Sequence, residues 1–370
     1  MKVLSASLNL LSDKPRNAIL IGLCFAVMLL LPWLHLLPAD APFHLSAYWV
    51  TLIGKIMCLA LVALALDLVW GYAGILSLGH GLYFALGGYA MGMYLMRQAS
   101  GDGLPDFMRF LSWTEVPWYW VGTDHFAWAM ALVVLAPGLV AFIFGYFAFR
   151  SKIKGVYFSI ITQAMTYAAA LLFFRNETGF GGNNGFTGFK TLLGFDITSA
   201  PTRSALCFVT ALTLLLSYVG LRYLMNKPYG RVLGAIRDSE NRLQYLGYRT
   251  LWYKLSAWTL SAVIAGIAGA LYVPQVGIIN PSEMNPVNSI EMAVWVAAGG
   301  RGTLIGAILG AGVINAVKTY FTVAYPEVWL LILGGLFVVV TIFLPSGIIG
   351  IFDRFKKDAD TQANKESNHD

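Results

Sequence analysis

Charged residues are scarce in this chain of 370 residues. Asp, Glu, Lys and Arg make up 12% of it, whereas soluble domains carry about 25%. Hydrophobic residues reach 58%, and many apolar runs are each long enough to cross a bilayer as a helix of about 20 residues. The composition therefore excludes an ordinary soluble domain and predicts an all-α fold, a polytopic bundle of transmembrane helices.

Cysteine is nearly absent as well. The three cysteines are Cys24, Cys58 and Cys207. Each lies inside an apolar run, and their spacing suits neither a disulfide framework nor a metal site. We interpret all three as core residues, and the sequence predicts no metal and no cofactor.

Motifs for nucleotide binding and catalysis are also missing. No G-x-x-x-x-G-K-[ST] segment occurs, so the chain itself has no P-loop to hold a triphosphate. Neither a Ser/His/Asp set nor paired carboxylates stand out, so we expect no catalytic residues. Any process driven by ATP would need another chain as its engine. The net charge of +6 suits anionic lipid rather than nucleic acid.

Ten apolar segments divide the sequence. They are residues 18–37, 47–69, 72–96, 127–149, 155–174, 204–225, 255–275, 286–300, 302–323 and 328–349. The first exceeds the 7 to 15 apolar residues of a signal peptide, which favours a retained span although Ala39-Asp40-Ala41 imitates a cleavage site. The segment 286–300 is short, and a re-entrant element would reduce the total to eight.

Basic residues fix the orientation of these spans. With the N-terminus in the cytoplasm, eighteen Lys and Arg residues fall on the inner side and five on the outer side, as the positive-inside rule requires. Both termini are then cytoplasmic, and 286–300 must cross to keep the basic loop and the basic tail on one side. We predict one transmembrane domain over 1–355, with a cytoplasmic loop at 226–254 and a disordered tail at 356–370.

The third apolar segment contains an ordered stripe of small residues. Ser77, Gly81, Ala85, Gly88 and Gly92 are spaced 4, 4, 3 and 4 apart, which places them within about 80° of one helical face. Such a stripe lets another backbone approach closely in lipid, either as static packing or as a surface on which helices move. Two further stripes are Gly299, Gly302, Gly306 and Gly310, and Ala262, Gly266 and Ala270.

Several polar side chains lie where lipid would be expected. His80 has no other metal-ligand type nearby, so we interpret it as a hydrogen-bonded packing residue rather than a ligand, although pore and helix-break positions also hold such residues. An ion pair between Glu291 and either Lys55 or Lys318 is a hypothesis. Asp67 is near the inner end of its span and is expected at the interface.

Two loops are candidates for recognition. The outer loop GFGGNNGFTG, residues 179–188, is either a tight turn or a place where Asn183, Asn184 and Thr187 bind a small polar solute. The cytoplasmic segment 226–248 has the pattern of an amphipathic helix that Pro228 opens and Gly247 ends. Acidic residues among its arginines favour docking into a groove of a protein partner over lying on the bilayer.

Three segments together resemble the LivM-type permease subunits of bacterial ABC importers for branched-chain amino acids and urea. They are GYAGILSLGHGLYFALGGY, PYGRVLGAIRDSE followed by LGY, and GGNNGFTG. The resemblance covers about residues 50–345. It implies an inner-membrane permease with a second similar permease, two ATPase subunits and an extracytoplasmic solute-binding protein as partners.

The resemblance also implies roles for particular residues. The helix that contacts the ATPase subunit would carry Gly230, Arg231, Ala235, Arg237, Glu240 and Gly247. The glycine-rich span, with Ser77, His80, Gly81 and Gly88, would line or gate the path. From their own chemistry, we also expect Asn183, Asn184, Thr187 and Glu291 along the path.

Two segments are similar to the urea branch of the family. These are FGGNNGFTGFKTLLGFDI, with paired asparagines, and WVAAGGRGTLIGAILGA, with Arg301; Gly188 departs from the acid expected there. Urea is therefore the expected solute and a branched-chain amino acid the alternative. A passive channel, an ion-coupled carrier and a membrane-embedded enzyme are the rival classes.

Overall fold

The computed structural model describes residues 15–38, 40–101, 103–328, 331–332, 334–335, 338 and 347–350. The longer helices in these ranges are α1 (Pro15–Leu30), α2 (Ala47–Asp67), α3 (His80–Ser100), α4 (Phe126–Arg150), α5 (Val156–Phe173), α6 (Ala200–Met225), α7 (Pro228–Tyr245), α8 (Thr250–Val276), α9 (Pro286–Gly299) and α10 (Ile305–Ala324). Most of the predicted last span 328–349, and all of the tail 356–370, lie outside the described residues.

Within the described ranges, seven helical segments are long and apolar enough to cross a membrane. They are α1 with its 3₁₀ extension Leu31–Leu36, α2 with the π-helical turn Leu68–Tyr72, and helices α4, α5, α6, α8 and α10. The chain is thus a polytopic helical bundle, as the composition predicts.

Helix α3 begins later than the sequence predicts. The expected span starts at residue 72, but residues 73–79 are not helical and the helix begins at His80. Hydroxyls of α5 hold this segment: Ser159 donates to the Leu76 carbonyl over 2.8 Å, and Thr162 accepts from the Leu78 amide over 3.2 Å. A non-helical segment inside a bundle requires such partners for its backbone.

Glycines bring α3 and α8 into backbone contact. A side chain at Gly87 would collide with the backbone of Gly266, and one at Gly269 with the carbonyl of Phe84. Gly266 also packs against Pro137 of α4. The close approach is confirmed at Gly266 of the α8 stripe, but its partner Gly87 lies outside the stripe predicted on α3. Movement along the stripes stays a prediction.

The stripe that begins at Gly299 does not lie on one helix, contrary to the sequence interpretation. Gly299 is the last residue of α9, Gly302 lies in the following turn with φ of +79°, and α10 starts only at Ile305. Gly299 instead meets Gly306, and Gly310 meets Trp295. The glycines therefore pack α9 against α10, because the positive φ angles at Gly300 and Gly302 break the helical path.

Helix α9 covers only part of the bilayer. Its 14 residues rise about 21 Å, less than the hydrocarbon thickness of about 30 Å. The residues before it include strand β4 (Ile278–Ile279), which pairs antiparallel with β1 (Phe186–Thr187) of the outer loop. A short hairpin of β2 (Thr191–Leu192) and β3 (Phe195–Asp196) completes the strands in the described residues.

The cysteines differ in their surroundings. Cys58 and Cys207 are buried as predicted, but Cys24 is exposed on α1. Its interpretation as a core residue is wrong, because most side chains of α1 face outward from this chain.

Candidate functional site

A cavity of about 740 Å³ lies between helices α2, α8, α9 and α10. Ala47 at the outer end of α2, and Phe189 and Thr198 of the outer segment, line its mouth. Leu59 and Trp295 line it deeper between the helices. By the orientation that the basic residues indicate, the cavity opens to the outer side of the membrane.

Several amides and hydroxyls lie in the cavity wall among a larger number of apolar side chains. These amides and hydroxyls belong to Thr51, Tyr272, Gln275, Asn288, Asn315 and Thr319. On α10, residues 315, 318, 319 and 322 all line the cavity, and this spacing places them on one helical face. The polar face was visible in the sequence as a periodic signal but was not recognised as a site.

Glu291 and Lys318 form an ion pair inside this cavity. The Lys318 ammonium lies 2.8 Å from Oε1 and 2.7 Å from Oε2 of Glu291, whose side chain is only 4% exposed. The hypothesis of an ion pair is confirmed, and Lys318 rather than Lys55 is the partner. The pair joins α9 to α10 and leaves no isolated carboxylate at Glu291.

Lys55 and Glu283 also line the cavity, on the wall where Tyr272 stands. The Lys55 ammonium is 6.0 Å from the centre of the Tyr272 ring, and the Tyr272 hydroxyl is 3.4 Å from Oε1 of Glu283. A cation and an anion are therefore available to a solute in addition to the amides.

His80 is held by serines at the start of α3. Its Nδ1 lies 2.9 Å from the Ser77 hydroxyl and its Nε2 2.7 Å from the Ser261 hydroxyl. Because Ser261 donates its hydrogen to the Ala65 carbonyl, it must accept from Nε2, which assigns the proton to Nε2. His80 thus links α3 to α8 and α2 as a hydrogen-bonded residue.

The predicted path residues do not form one group. Glu291 lines the cavity, whereas Ser77, His80 and Gly81 lie around the start of α3 and are absent from its lining. Gly88 packs against Ile279 and Val273. A gating role for α3 remains a prediction.

The outer loop is a tight turn with an exposed polar edge. Gly181, Gly185 and Gly188 have positive φ angles, and Gly185 lies directly against the backbone of Ile279 and Asn280. The side chains of Asn183, Asn184 and Thr187 are exposed, and Asn184 and Thr187 line a separate cavity of about 390 Å³. The turn is confirmed, while solute binding stays a prediction.

The amphipathic helix in the cytoplasmic loop is present as α7 but is bent. Ser239 has non-helical angles, φ −161° and ψ 87°. Arg231 and Ala235 are exposed, as is Gly247, which follows the helix at φ +86°. Gly230 is buried against the backbone of Met225, so it serves packing against the end of α6.

Glu240 points into the protein. Its carboxylate lies 2.8 Å from the Lys154 ammonium and 2.6 Å from the Lys254 ammonium, and it accepts from the Thr250 hydroxyl over 3.0 Å. Burial raises the pKa of the Glu240 carboxyl, but the hydrogen bonds from Lys154 and Lys254 outweigh burial and hold that pKa below its ordinary value. Glu240 ties α7 to α8 and to the loop before α5.

Asp67 is buried, so the expectation that it faces the interface is wrong. Its Oδ1 accepts the Gly302 amide over 2.6 Å, and its Oδ2 accepts the Leu304 amide over 2.9 Å. The turn between α9 and α10 has amides that no helix satisfies, and a buried carboxylate is a strong acceptor for them. Sequence reasoning missed this role because the two segments are far apart in the chain.

Arg237 of α7 reaches the same region. Its guanidinium donates to the Gly71 carbonyl over 2.8 Å and to Asp238 over 3.1 Å. Gly71 belongs to the π-helical turn Leu68–Tyr72 and touches Gly302.

Comparisons with known proteins agree with this architecture. The family model described as "Branched-chain amino acid transport system / permease component" matches residues 48–341. The high-affinity branched-chain amino acid transport system permease protein LivM of Salmonella typhimurium is 27% identical over 83% of this chain and 71% of its own length.

Two other relatives extend the comparison. A probable branched-chain amino acid transport permease protein LivM of Methanocaldococcus jannaschii is 24% identical over 78% of this chain and 89% of its own length. The autoinducer 2 import system permease protein LsrC of Yersinia pseudotuberculosis is 29% identical over 35% of this chain and 39% of its own length. No solved structure matches the chain.

The family model covers most of the chain, including the helices around the cavity and the cytoplasmic helix. The relatives named here are transport permeases rather than enzymes. The family match together with the helices long enough to cross the bilayer makes this chain a multi-pass protein of the inner membrane. The chain belongs to the family of permease components of branched-chain amino acid transport systems.

Proposed function

We propose that the chain is the permease subunit of a binding-protein-dependent ABC importer and forms the translocation path for urea. The observation that supports this most is the cavity between α2, α8, α9 and α10, which opens to the outer side and has amides and hydroxyls in its wall. No P-loop occurs in the sequence, so separate ATPase subunits hydrolyse the ATP.

The importer contains four kinds of chain. A second, similar permease completes the path as a heterodimer, two ATP-binding cassette ATPases supply energy, and an extracytoplasmic solute-binding protein delivers the solute. The exposed residues Arg231, Ala235 and Gly247 of the α7 region meet the ATPase. Glu240 supports the shape of that region from inside, through its lysine partners.

Urea is favoured by the chemistry of the cavity. Urea offers one carbonyl acceptor and four N–H donors, which amides and hydroxyls such as those of Asn288, Asn315 and Thr319 can match. The charges of Glu291 and Lys318 are paired with each other, so neither needs a charged solute as its partner. The paired asparagines of the outer loop and Arg301 support the same branch.

A branched-chain amino acid is the second candidate. Its carboxylate and ammonium would find Lys55 and Glu283 on the cavity wall, and relatives named for that transport support it.

Removal of the charge of Lys55 distinguishes the two candidate solutes. Uptake of radiolabelled urea and leucine is measured in cells that express the whole importer, with the Lys55→Gln variant beside the unaltered chain. We expect urea uptake, nearly unchanged in the variant. Leucine uptake that the variant abolishes would support the second candidate and reject urea.

A further inference from the structure

A chain of contacts connects the cytoplasmic helix α7 to the helices around the cavity. Arg237 of α7 donates to the Gly71 carbonyl over 2.8 Å. Gly71 touches Gly302, and Asp67, on the same segment as Gly71, accepts the amides of Gly302 and Leu304 over 2.6 and 2.9 Å. The contacts thus run from α7 through the end of α2 to the turn between α9 and α10.

We infer that Asp67 is a positioning residue for energy coupling, which transmits the movement of α7 to α9 and α10. The inference rests on the proposed function, since it requires an ATPase that moves α7. Asp67 is completely buried, and its two oxygens hold the amides on both sides of Thr303. A displacement of the π-helical turn therefore displaces the start of α10 as well.

The residues that make these contacts are tightly packed against one another. A Cβ atom at Gly71 would collide with Asp67 and Gly302, and one at Gly74 would lie 2.7 Å from the Arg237 side chain. The guanidinium of Arg301, in the same turn, lies 5.4 Å from the centre of the Trp70 ring. Turns of π-helix within helices are frequent at functional sites, and Leu68–Tyr72 contacts both α7 and the α9–α10 turn.

The movable end of this connection reaches the cavity. Glu291 of α9 and Asn315, Lys318 and Thr319 of α10 line it. A shift of the α9–α10 turn therefore changes the cavity wall, without any contact between α7 and the cavity.

The test measures nucleotide-dependent change in the cavity and does not depend on which solute is carried. A cysteine is introduced as Thr319→Cys in the importer reconstituted with its partner subunits in vesicles. Its labelling by a membrane-impermeant maleimide is measured with and without ATP and vanadate. The chain without Thr319→Cys gives the background labelling of the native cysteines. Of these, Cys58 and Cys207 are buried, and Cys24 lies on the exposed face of α1.

Three variants are compared in the Thr319→Cys background. Asp67→Asn keeps the shape of the side chain but leaves one of the two amides without an acceptor, and Arg237→Ala removes the contact with Gly71. Arg242→Ala removes a cation from an exposed position of the same helix and is the matched control. ATPase activity and thermal stability are measured for every complex.

We expect the nucleotide-dependent difference in labelling to be lost in Asp67→Asn and Arg237→Ala, with ATP hydrolysis continuing and assembly intact. Arg242→Ala should keep the difference. The inference is overturned if Asp67→Asn keeps the full nucleotide-dependent difference in labelling. It is also overturned if that difference is lost only because the complex no longer assembles. If the complex that carries Thr319→Cys alone shows no nucleotide-dependent change, the proposed function fails and the inference fails with it.

Discussion

Glu291 and Lys318 show how a charged pair is kept among apolar helices. The carboxylate is almost fully buried, and both of its oxygens face one ammonium. Removing one partner of a buried pair leaves an uncompensated charge and costs about 3–5 kcal/mol.

Charge reversal tests this pair. Glu291→Lys and Lys318→Glu should each lower the melting temperature of the purified permease, because each places two like charges next to each other. The double variant Glu291→Lys/Lys318→Glu should recover much of the loss. The measurement is thermal unfolding in detergent for the four proteins, and additive losses in the double variant would mean that the two groups do not interact.

Glu240 predicts a pH dependence of stability. Its pKa is lower in the folded protein than the value of about 4.3 for a free side chain. A lowered carboxyl pKa contributes stability above the unfolded value, and this contribution is lost as pH falls through the folded value. The difference in melting temperature between the unaltered chain and Glu240→Gln should therefore be constant from neutral pH to about 5 and shrink in more acidic buffer.

A Glu240→Gln difference that stayed constant into strong acid would contradict the ion-pair account. Glu177, which is exposed on the outer side, offers the matched control Glu177→Gln.

Single residues also show where sequence reasoning reaches its limit. The need of His80 for a hydrogen-bonding partner was predictable, because a lone polar ring inside a bundle is otherwise costly. The identity of that partner was not, since Ser261 lies 181 positions away. The same distance in sequence hid the role of Asp67 as an acceptor for Gly302 and Leu304.

Close packing between helices α3 and α8 was predictable, but the α3 residue that makes it was not. Small residues permit close helix packing in lipid through sterics alone. Gly266 of the predicted α8 stripe makes such a contact, but with Gly87, outside the predicted α3 stripe. The start of α3 was missed because the hydroxyls that hold residues 73–79 come from α5. The apolar content of one segment does not indicate which hydrogen-bonding partners another segment supplies.

Glycine substitutions separate the tight contacts from the loose ones. Gly269→Ala places a methyl group against the Phe84 carbonyl and should destabilise the bundle by about 1–3 kcal/mol, the usual cost of overpacking. Gly88→Ala meets only the ends of the Ile279 and Val273 side chains and a carbonyl at 3.4 Å, so it should cost less. Gly220→Ala, with open space around it, is the control.

The three glycine variants are compared by thermal unfolding in detergent. Equal melting temperatures for Gly269→Ala and Gly220→Ala would contradict backbone contact between α3 and α8.

At the scale of the whole molecule, the composition predicted the class of fold, because placing charge in hydrocarbon is costly. The orientation that the basic residues indicate stays a prediction. The position of the cavity was not predictable in this way, because it depends on how α2, α8, α9 and α10 are arranged around one another.

Transport by the proposed importer should depend on partner subunits, whereas transport by a channel should not. Arg231 and Ala235 of α7 are exposed, and the sequence contains no P-loop. A passive channel would conduct urea without any partner subunit, and uptake by an ion-coupled carrier would depend on an ion gradient.

Reconstituted uptake tests the central claim most directly. The chain is placed in vesicles either alone or with its partner permease, ATPases and solute-binding protein, and entry of radiolabelled urea is followed with and without ATP. The account predicts accumulation of urea against its gradient only in the complete assembly with ATP. Equal entry of urea through the chain alone, or uptake that ATP does not change, would contradict it.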